Sequence, residues 1–298
     1  MTGFALPRNL VDSVRADRSP DRDAWLARLP GLVQAFAEQW ALQIGPPYQP
    51  GGRCAWAAPA RDRAGREVVL KVAWQHDEAL HETQGLYAWD GAGMVGLHRH
   101  ATAEQSSILL LERCRPGTAL GQVLPEPEQD LVVAGLLTRL WQAPLSPAGA
   151  AVFRPLQVMC DAWAAEFEQR LAGTREPHDP GLTRACLELL RLLPSTADRQ
   201  VLLCTDLHAG NILAAEREPW LAIDPKPYVG DPTYDAVQHL LNCEQRLHAD
   251  PAGLAHRMAG LLDLDAGRLV RWLFARCVQE SLDAPELGRL AIRLAAAI

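Results

Sequence analysis

The sequence predicts an α+β chain in two lobes, a small antiparallel-sheet lobe over residues 1–113 and a mainly helical lobe over residues 114–298. Three observations predict it. Two β-rich runs, at 53–58 and 67–73, flank a polar turn at 60–66, which is the pattern of a hairpin. From Glu126 onward, apolar residues recur at helical spacing in successive stripes. Between those stripes and the C-terminal helices, three short apolar runs, at 201–203, 212–214 and 220–223, bracket a polar loop. At 298 residues the chain is long enough for two lobes and a sizeable core.

Composition narrows the classes. Hydrophobic residues make up 48% and charged residues 22%, ordinary for a soluble globular protein. No apolar run approaches the roughly 20 residues of a membrane span, and the N-terminal residues lack a basic stretch before an apolar one. The seven cysteines are scattered without a Cys-x-x-Cys pair, so a reducing, cytoplasmic setting is expected rather than a disulfide framework. The net charge of −7 comes with no basic block, which argues against a nucleic-acid partner. Of the 29 basic residues only Lys71 and Lys226 are lysine. They are candidates for places that need a compact ammonium rather than a planar guanidinium.

Taken in order, residues 1–45 read as helical. Trp25, Leu29, Leu32, Val33, Phe36 and Trp40 fall near a 3.6 period, and Pro30-Gly31 makes two helices as reasonable as one. This part is expected to pack on the following sheet. The hairpin's second strand carries Lys71 among apolar neighbours, where a lysine can reach nucleotide phosphates; an edge-strand lysine that deters aggregation is the plainer reading. Residues 76–89 read as a helix with Glu78 and Glu82 on one face. Glu82, deeper in that helix, is the expected partner of Lys71, whereas Glu78 suits a helix N-terminus.

Gly91-Ala-Gly-Met-Val-Gly96 matches a dinucleotide-binding pattern by letter only. It follows a helix instead of a strand and precedes no helix start, so it reads as a turn. Residues 107–112 read as a buried strand broken by Arg113-Cys-Arg-Pro-Gly117. In a two-lobed phosphotransferase this is where backbone groups from Glu112 to Cys114 meet the adenine. Leu131, Leu136, Leu137, Leu140 and Trp141 form one helical stripe. Met159, Cys160, Phe167 and Leu171 belong to a second, and Cys186, Leu189, Leu190 and Leu193 to a third.

The polar loop carries the chemistry. Asp206 is followed five residues later by Asn211, and the next apolar run ends in Asp224. One carboxylate can accept the proton of an attacking hydroxyl, while an Asn and a second Asp hold metal ions on nucleotide phosphates. An Asx-turn at Asp206 and a left-handed backbone at Asn211 would explain each residue singly but not the set.

These residues, with Gln49-Pro-Gly-Gly52, Val69-Leu-Lys71, Asp206-Leu-His-Ala-Gly-Asn211 and Ile223-Asp-Pro-Lys-Pro-Tyr-Val-Gly-Asp-Pro232, resemble the aminoglycoside phosphotransferase-like kinases. More narrowly they resemble the aminoglycoside/hydroxyurea antibiotic-resistance kinase group, which includes streptomycin 6-phosphotransferases. The resemblance implies a two-lobed protein-kinase-like fold that binds ATP and Mg²⁺. It implies Lys71 on the α/β-phosphates oriented by Glu82, Asp206 as catalytic base, and Asn211 and Asp224 as magnesium ligands. Lys226 becomes a candidate phosphate contact. Asp231 and Glu280 become candidate acceptor contacts for a small-molecule substrate, cationic if it is an aminoglycoside, and Asp235 reads as structural. The family loop usually begins His-Gly-Asp, whereas here it reads Cys204-Thr205-Asp206. Threonine must adopt a backbone that glycine reaches more freely.

Other readings stay open at this point. A metabolic small-molecule kinase of the same fold fits the same residues. A nucleotide-binding pseudokinase rests on Cys204-Thr205 alone. A zinc protein built on His239, Cys243 and His248 lacks a fourth ligand at suitable spacing. No G-x-S-x-G occurs, and neither lysine follows a glycine as a phosphate-loop lysine would.

Overall fold

A computed structural model describes residues 4–145, 147–173 and 178–298. The chain forms two compact units, one running to Gly117 and including Ala215–Arg217, the other comprising Thr118–Ala214 and Glu218–Ile298.

The first unit holds α1 (Arg8–Asp17), α2 (Pro20–Trp40), β1 (Gln43–Ile44), β2 (Ala55–Arg61), β3 (Glu67–Trp74), α3 (Glu82–Trp89), β4 (Leu97–Ala103) and β5 (Ser106–Glu112). Its strands make one antiparallel sheet in the order β1-β2-β3-β5-β4. The β2–β3 turn is held by Asp62, whose Oδ1 accepts from the N–H groups of Ala64 and Arg66, and Gly65 supplies the positive φ of 78°. Ser19 caps α2 and Pro20 opens it. The helix runs unbroken through Pro30. An interior proline costs about 3 kcal/mol. Burial of Trp25, Leu29, Leu32, Val33 and Phe36 against Trp56, Leu70, Val72 and Ile108 of the sheet offsets it, since each such side chain contributes about 1.5–3 kcal/mol. The Trp25 indole also donates to Ser106 Oγ at 2.8 Å.

One expected helix is shorter than its sequence suggests. Residues 77–79 make a 3₁₀ turn, and Glu82 is the first residue of α3 rather than one deep within it.

The second unit holds α4 (Leu120–Val123), α5 (Glu126–Leu140), α6 (Pro147–Ala150), α7 (Leu156–Gly173), α8 (Pro180–Leu192), β6 (Val201–Leu203), β7 (Ile212–Ala214), β8 (Trp220–Ala222), β9 (Tyr228–Gly230), α9 (Pro232–Asp235), α10 (Val237–Asn242), α11 (Glu244–Ala249), α12 (Pro251–Leu262), α13 (Ala266–Glu280) and α14 (Pro285–Ala295). Asp179, Asp231 and Asp250 each cap a helix that begins with proline, whereas Asp224-Pro225 follows β8 and starts no helix. The core is built around α13, whose Leu269, Val270, Trp272, Leu273, Phe274 and Cys277 are buried and which packs on α8, α12 and α14. Of the first helical stripe, Leu136, Leu137 and Leu140 are buried, but Leu131 is 55% exposed and faces solvent. Two small antiparallel pairs, β6–β9 and β7–β8, hold the loops between them.

Candidate active site

In the first unit, β3 runs between β2 and β5, which places Lys71 opposite Ala57 and Leu109. Its neighbours Leu70 and Val72 point to the helix-covered face, so Lys71 emerges on the other. There Lys71 Nζ lies 2.6 Å from Glu82 Oε1, with both side chains buried. A short hydrogen-bonded pair in a poorly solvated setting holds the ammonium in one direction. Glu112, at the end of β5, accepts from Arg217 and from the N–H of Gly96. Burial pushes its carboxyl up, but the bonds from Arg217 and Gly96 outweigh this and leave it below the usual value. The Glu112 N–H is itself taken by the Gly96 carbonyl at 2.8 Å. For Glu112, the candidate adenine contact is therefore the carbonyl oxygen rather than the N–H. Burial raises the Cys114 thiol to about 12, so it is inert as a nucleophile, and only its backbone is a candidate contact.

In the second unit, β6 delivers the loop. Cys204 and Thr205 donate their N–H groups to the carboxylate of Asp235 at 3.0 and 2.6 Å, and Trp141 Nε1 donates to the same group at 3.0 Å. Asp235 is fully buried, and that burial raises its carboxyl to about 6 against these three bonds. It clamps the loop entrance.

Thr205 adopts φ of 54°, in the left-handed region. Its hydroxyl donates to the Lys226 carbonyl at 2.5 Å, and the Lys226 N–H returns a bond to the Cys204 carbonyl at 2.9 Å. Cys204 is buried, which lifts its thiol far above the usual value and leaves it inert.

Asp206 follows at once. Burial raises its carboxyl, Lys226 and His208 oppose that rise, and Asp224 adds to it. Lys226 Nζ stands 3.3 Å from Asp206 Oδ2. Asn211 donates Nδ2 to the Asp206 carbonyl at 3.0 Å, so its side-chain oxygen points away as an acceptor or ligand. The Ile223 N–H donates to the Asn211 carbonyl at 2.9 Å, which ties β8 to the loop. Asp224 then turns out of β8 with φ of 55° and an exposed side chain. The structure thus brings Asp206, Asn211, Asp224 and Lys226 onto two adjoining loops. An amide oxygen and a carboxylate are hard donors suited to Mg²⁺.

Two acceptor candidates differ in fate. Asp231 is 2% exposed. It caps α9 through the Thr233 N–H and accepts from Arg268 Nε at 2.6 Å and Trp272 Nε1 at 2.7 Å. The expectation that it faces an acceptor is corrected: it ties β9 and α9 to α13. Glu280 ends α13 and keeps 34% of its side chain exposed, but it is paired with Arg276, which also donates to the Tyr234 hydroxyl and lies 4.0 Å over the Trp163 ring.

Sequence reasoning missed a buried network at Asp130, whose partners lie more than 100 residues away. Its carboxylate accepts from His239, Arg246 and Arg257 at 2.7–3.0 Å. Burial would raise it, but these partners hold it well below the usual carboxylate range. Cys243 Sγ lies 3.6 Å from His239 Nε2, so Asp130, His239 and Cys243 form a three-donor group. Two guanidiniums on the carboxylate oppose a cation there.

The family model "Aminoglycoside/hydroxyurea antibiotic resistance kinase" matches residues 40–288. A streptomycin 6-kinase of Streptomyces griseus is 34% identical over 96% of this chain and 93% of its own length. A hydroxyurea phosphotransferase of Kitasatospora aureofaciens is 35% identical over 96% of this chain and 82% of its own. Among solved structures, a choline kinase from Streptococcus pneumoniae superposes with a TM-score of 0.60 at 12% identity, covering 91% of this chain and all of that one. That likeness concerns the fold, which is protein-kinase-like with a small antiparallel sheet and a mostly helical remainder. The chain belongs to the aminoglycoside/hydroxyurea antibiotic resistance kinase family, and it is an enzyme that transfers phosphate to a hydroxyl. Among the described residues, no helix is long and apolar enough to cross a membrane.

Proposed function

We propose that this kinase transfers the γ-phosphoryl group of ATP to a hydroxyl of a streptomycin-type aminoglycoside. The observation that carries the reading is the Asp206–Asn211–Asp224 arrangement. One carboxylate is anchored through its backbone, and two oxygen donors are fixed by β7 and β8. In this reading Asp206 orients the acceptor hydroxyl and takes its proton as the oxygen attacks the γ-phosphorus; the bond to the β-phosphate oxygen breaks and ADP leaves. Asn211 and Asp224 would hold Mg²⁺, which neutralises charge on the phosphates when bound. Lys71, aimed by Glu82, contacts the α/β-phosphates, and Lys226 contacts the transferred group. The Glu112 carbonyl and the Cys114 backbone contact the adenine, and Glu280 contacts the acceptor.

A second reading has a specific observation behind it. Asp231 is buried and Glu280 is already paired with Arg276, so two acids expected to meet a polycation are engaged within the fold. A small neutral acceptor such as hydroxyurea needs no acidic pocket.

The test is ADP formation by the purified protein with Mg-ATP and, separately, streptomycin, other aminoglycosides, hydroxyurea and simple sugars. Streptomycin-dependent turnover with a phosphorylated product is the expected result. Turnover with hydroxyurea alone would replace the first reading by the second, and no turnover with any acceptor would overturn both.

A further inference from the structure

We propose that Thr205 is a positioning residue for the transfer step, and that its hydroxyl locks the loop carrying Asp206 to the loop carrying Asp224. The inference rests on the phosphotransfer reading above and deepens it.

Thr205 occupies a backbone conformation, φ of 54°, that a β-branched residue rarely adopts. Glycine would sit there without strain. What threonine supplies, and glycine lacks, is the hydroxyl bonded to the Lys226 carbonyl at 2.5 Å. With the Lys226 N–H on the Cys204 carbonyl at 2.9 Å, residues 204–205 and residue 226 exchange one bond in each direction. The next residue along one strand of this exchange is Asp206, and two residues back along the other is Asp224. The exchange therefore helps fix their separation, beside the Ile223–Asn211 bond and the flanking strand pairs. A reacting constellation tolerates only about 0.5 Å of looseness, so a hydroxyl that removes slack between the two loops acts on rate. Thr205 is 7% exposed and its hydroxyl is spent on Lys226, so it acts through its neighbours rather than on substrate. The Asp235 clamp holds the N–H groups of residues 204 and 205, whereas the Thr205 hydroxyl reaches the Lys226 carbonyl on the other loop.

Three variants of the whole protein separate hydroxyl from backbone. Thr205→Ser keeps the hydroxyl and is expected to retain kcat within about twofold. Thr205→Val keeps the shape and the strained backbone but not the hydroxyl. Its kcat is expected to fall roughly tenfold, the rate equivalent of one lost hydrogen bond, with the KM for ATP within about twofold of wild type. Thr205→Gly relaxes the backbone, and its kcat falls likewise while its Tm does not. Amide hydrogen exchange gives a readout that needs no acceptor: peptides over 201–207 and 223–229 should exchange faster together in Thr205→Val and stay slow in Thr205→Ser. Unchanged exchange and kcat in Thr205→Val would overturn the inference. So would full activity in Thr205→Gly, or a loss in Thr205→Val that only tracks the folded fraction. A wild-type protein that phosphorylates no acceptor defeats the phosphotransfer reading instead, and exchange alone then decides whether the lock exists.

Discussion

Lys71 and Lys226 are the two lysines of a chain that uses arginine everywhere else, and each stands beside an acid in its own unit. The resemblance ends there. Lys71 and Glu82 are 2.6 Å apart with side chains 9% and 3% exposed. Lys226 and Asp206 are 3.3 Å apart with side chains 33% and 17% exposed. The first pair lies where charges are poorly solvated, so its members hold each other in place. The second reaches water, so the lysine stem can swing toward another anion at little cost. The difference teaches that one lysine suits a fixed phosphate contact and the other a movable one.

The sharpest way to break this contrast is to remove the acid of the half-buried pair. Asp206→Ala is expected to lower kcat by roughly 10²–10⁴-fold, the usual contribution of a positioned base, while the Kd for nucleotide stays near that of wild type. Steady-state kinetics with nucleotide titration check both halves, and wild-type turnover in this variant would end the base assignment. Lys71→Met should cost about 3–5 kcal/mol in denaturant unfolding, because a buried pair loses one partner, and roughly 10²–10³-fold in rate. A loss below 1 kcal/mol would show that the first pair behaves like an exposed one.

The pH dependence of stability sharpens the setting of the second pair, because Asp235 clamps its loop. Burial raises that carboxyl from 3.8 in a model acid to about 6, so between these values the folded protein binds a proton that the unfolded chain releases. Its stabilising contribution is whole below about pH 4 and is lost as pH rises through about 6, a change on the order of 3 kcal/mol. Unfolding from pH 4 to 7 should show this fall, and Asp235→Asn should flatten it; equal slopes in the two proteins would remove Asp235 as the cause. The smallest effect belongs to Lys226→Met. Its half-buried pair still reaches water and is worth about 1 kcal/mol, so the Tm should move little, and turnover should drop by only about fivefold. A Tm loss matching that of Lys71→Met would erase the contrast.

How much of this was legible beforehand depended on distance along the chain. Asp206, Asn211 and Asp224 stand within 19 residues and are separated by apolar runs whose strand character is plain. Lys71 stood out by rarity, and Glu82 by its place just after the lysine strand. The role of Asp231 was not legible, because what claims it is Arg268 and Trp272, about 40 residues later, and nothing in a Gly-Asp-Pro run announces them. The Asp130 network was hidden for the same reason. Glu112 was read as a backbone contact, and only folding showed its side chain braced by Arg217. Pro30 misled in the other direction: a local breaker was overridden by an apolar face that found a sheet to cover.

By itself, the sequence determined the α+β class, the strand lysine and the spacing of Asp206, Asn211 and Asp224, because these follow from nearest neighbours, periodicity and residue chemistry. Tertiary structure alone decided which aspartates serve the loop and which serve the core. It also decided that Thr205 bends into a glycine's conformation and bonds across to Lys226. The physical reason is that a carboxylate or hydroxyl takes its role from the donors and acceptors around it. In this chain those partners lie tens of residues away and meet only when the helices pack.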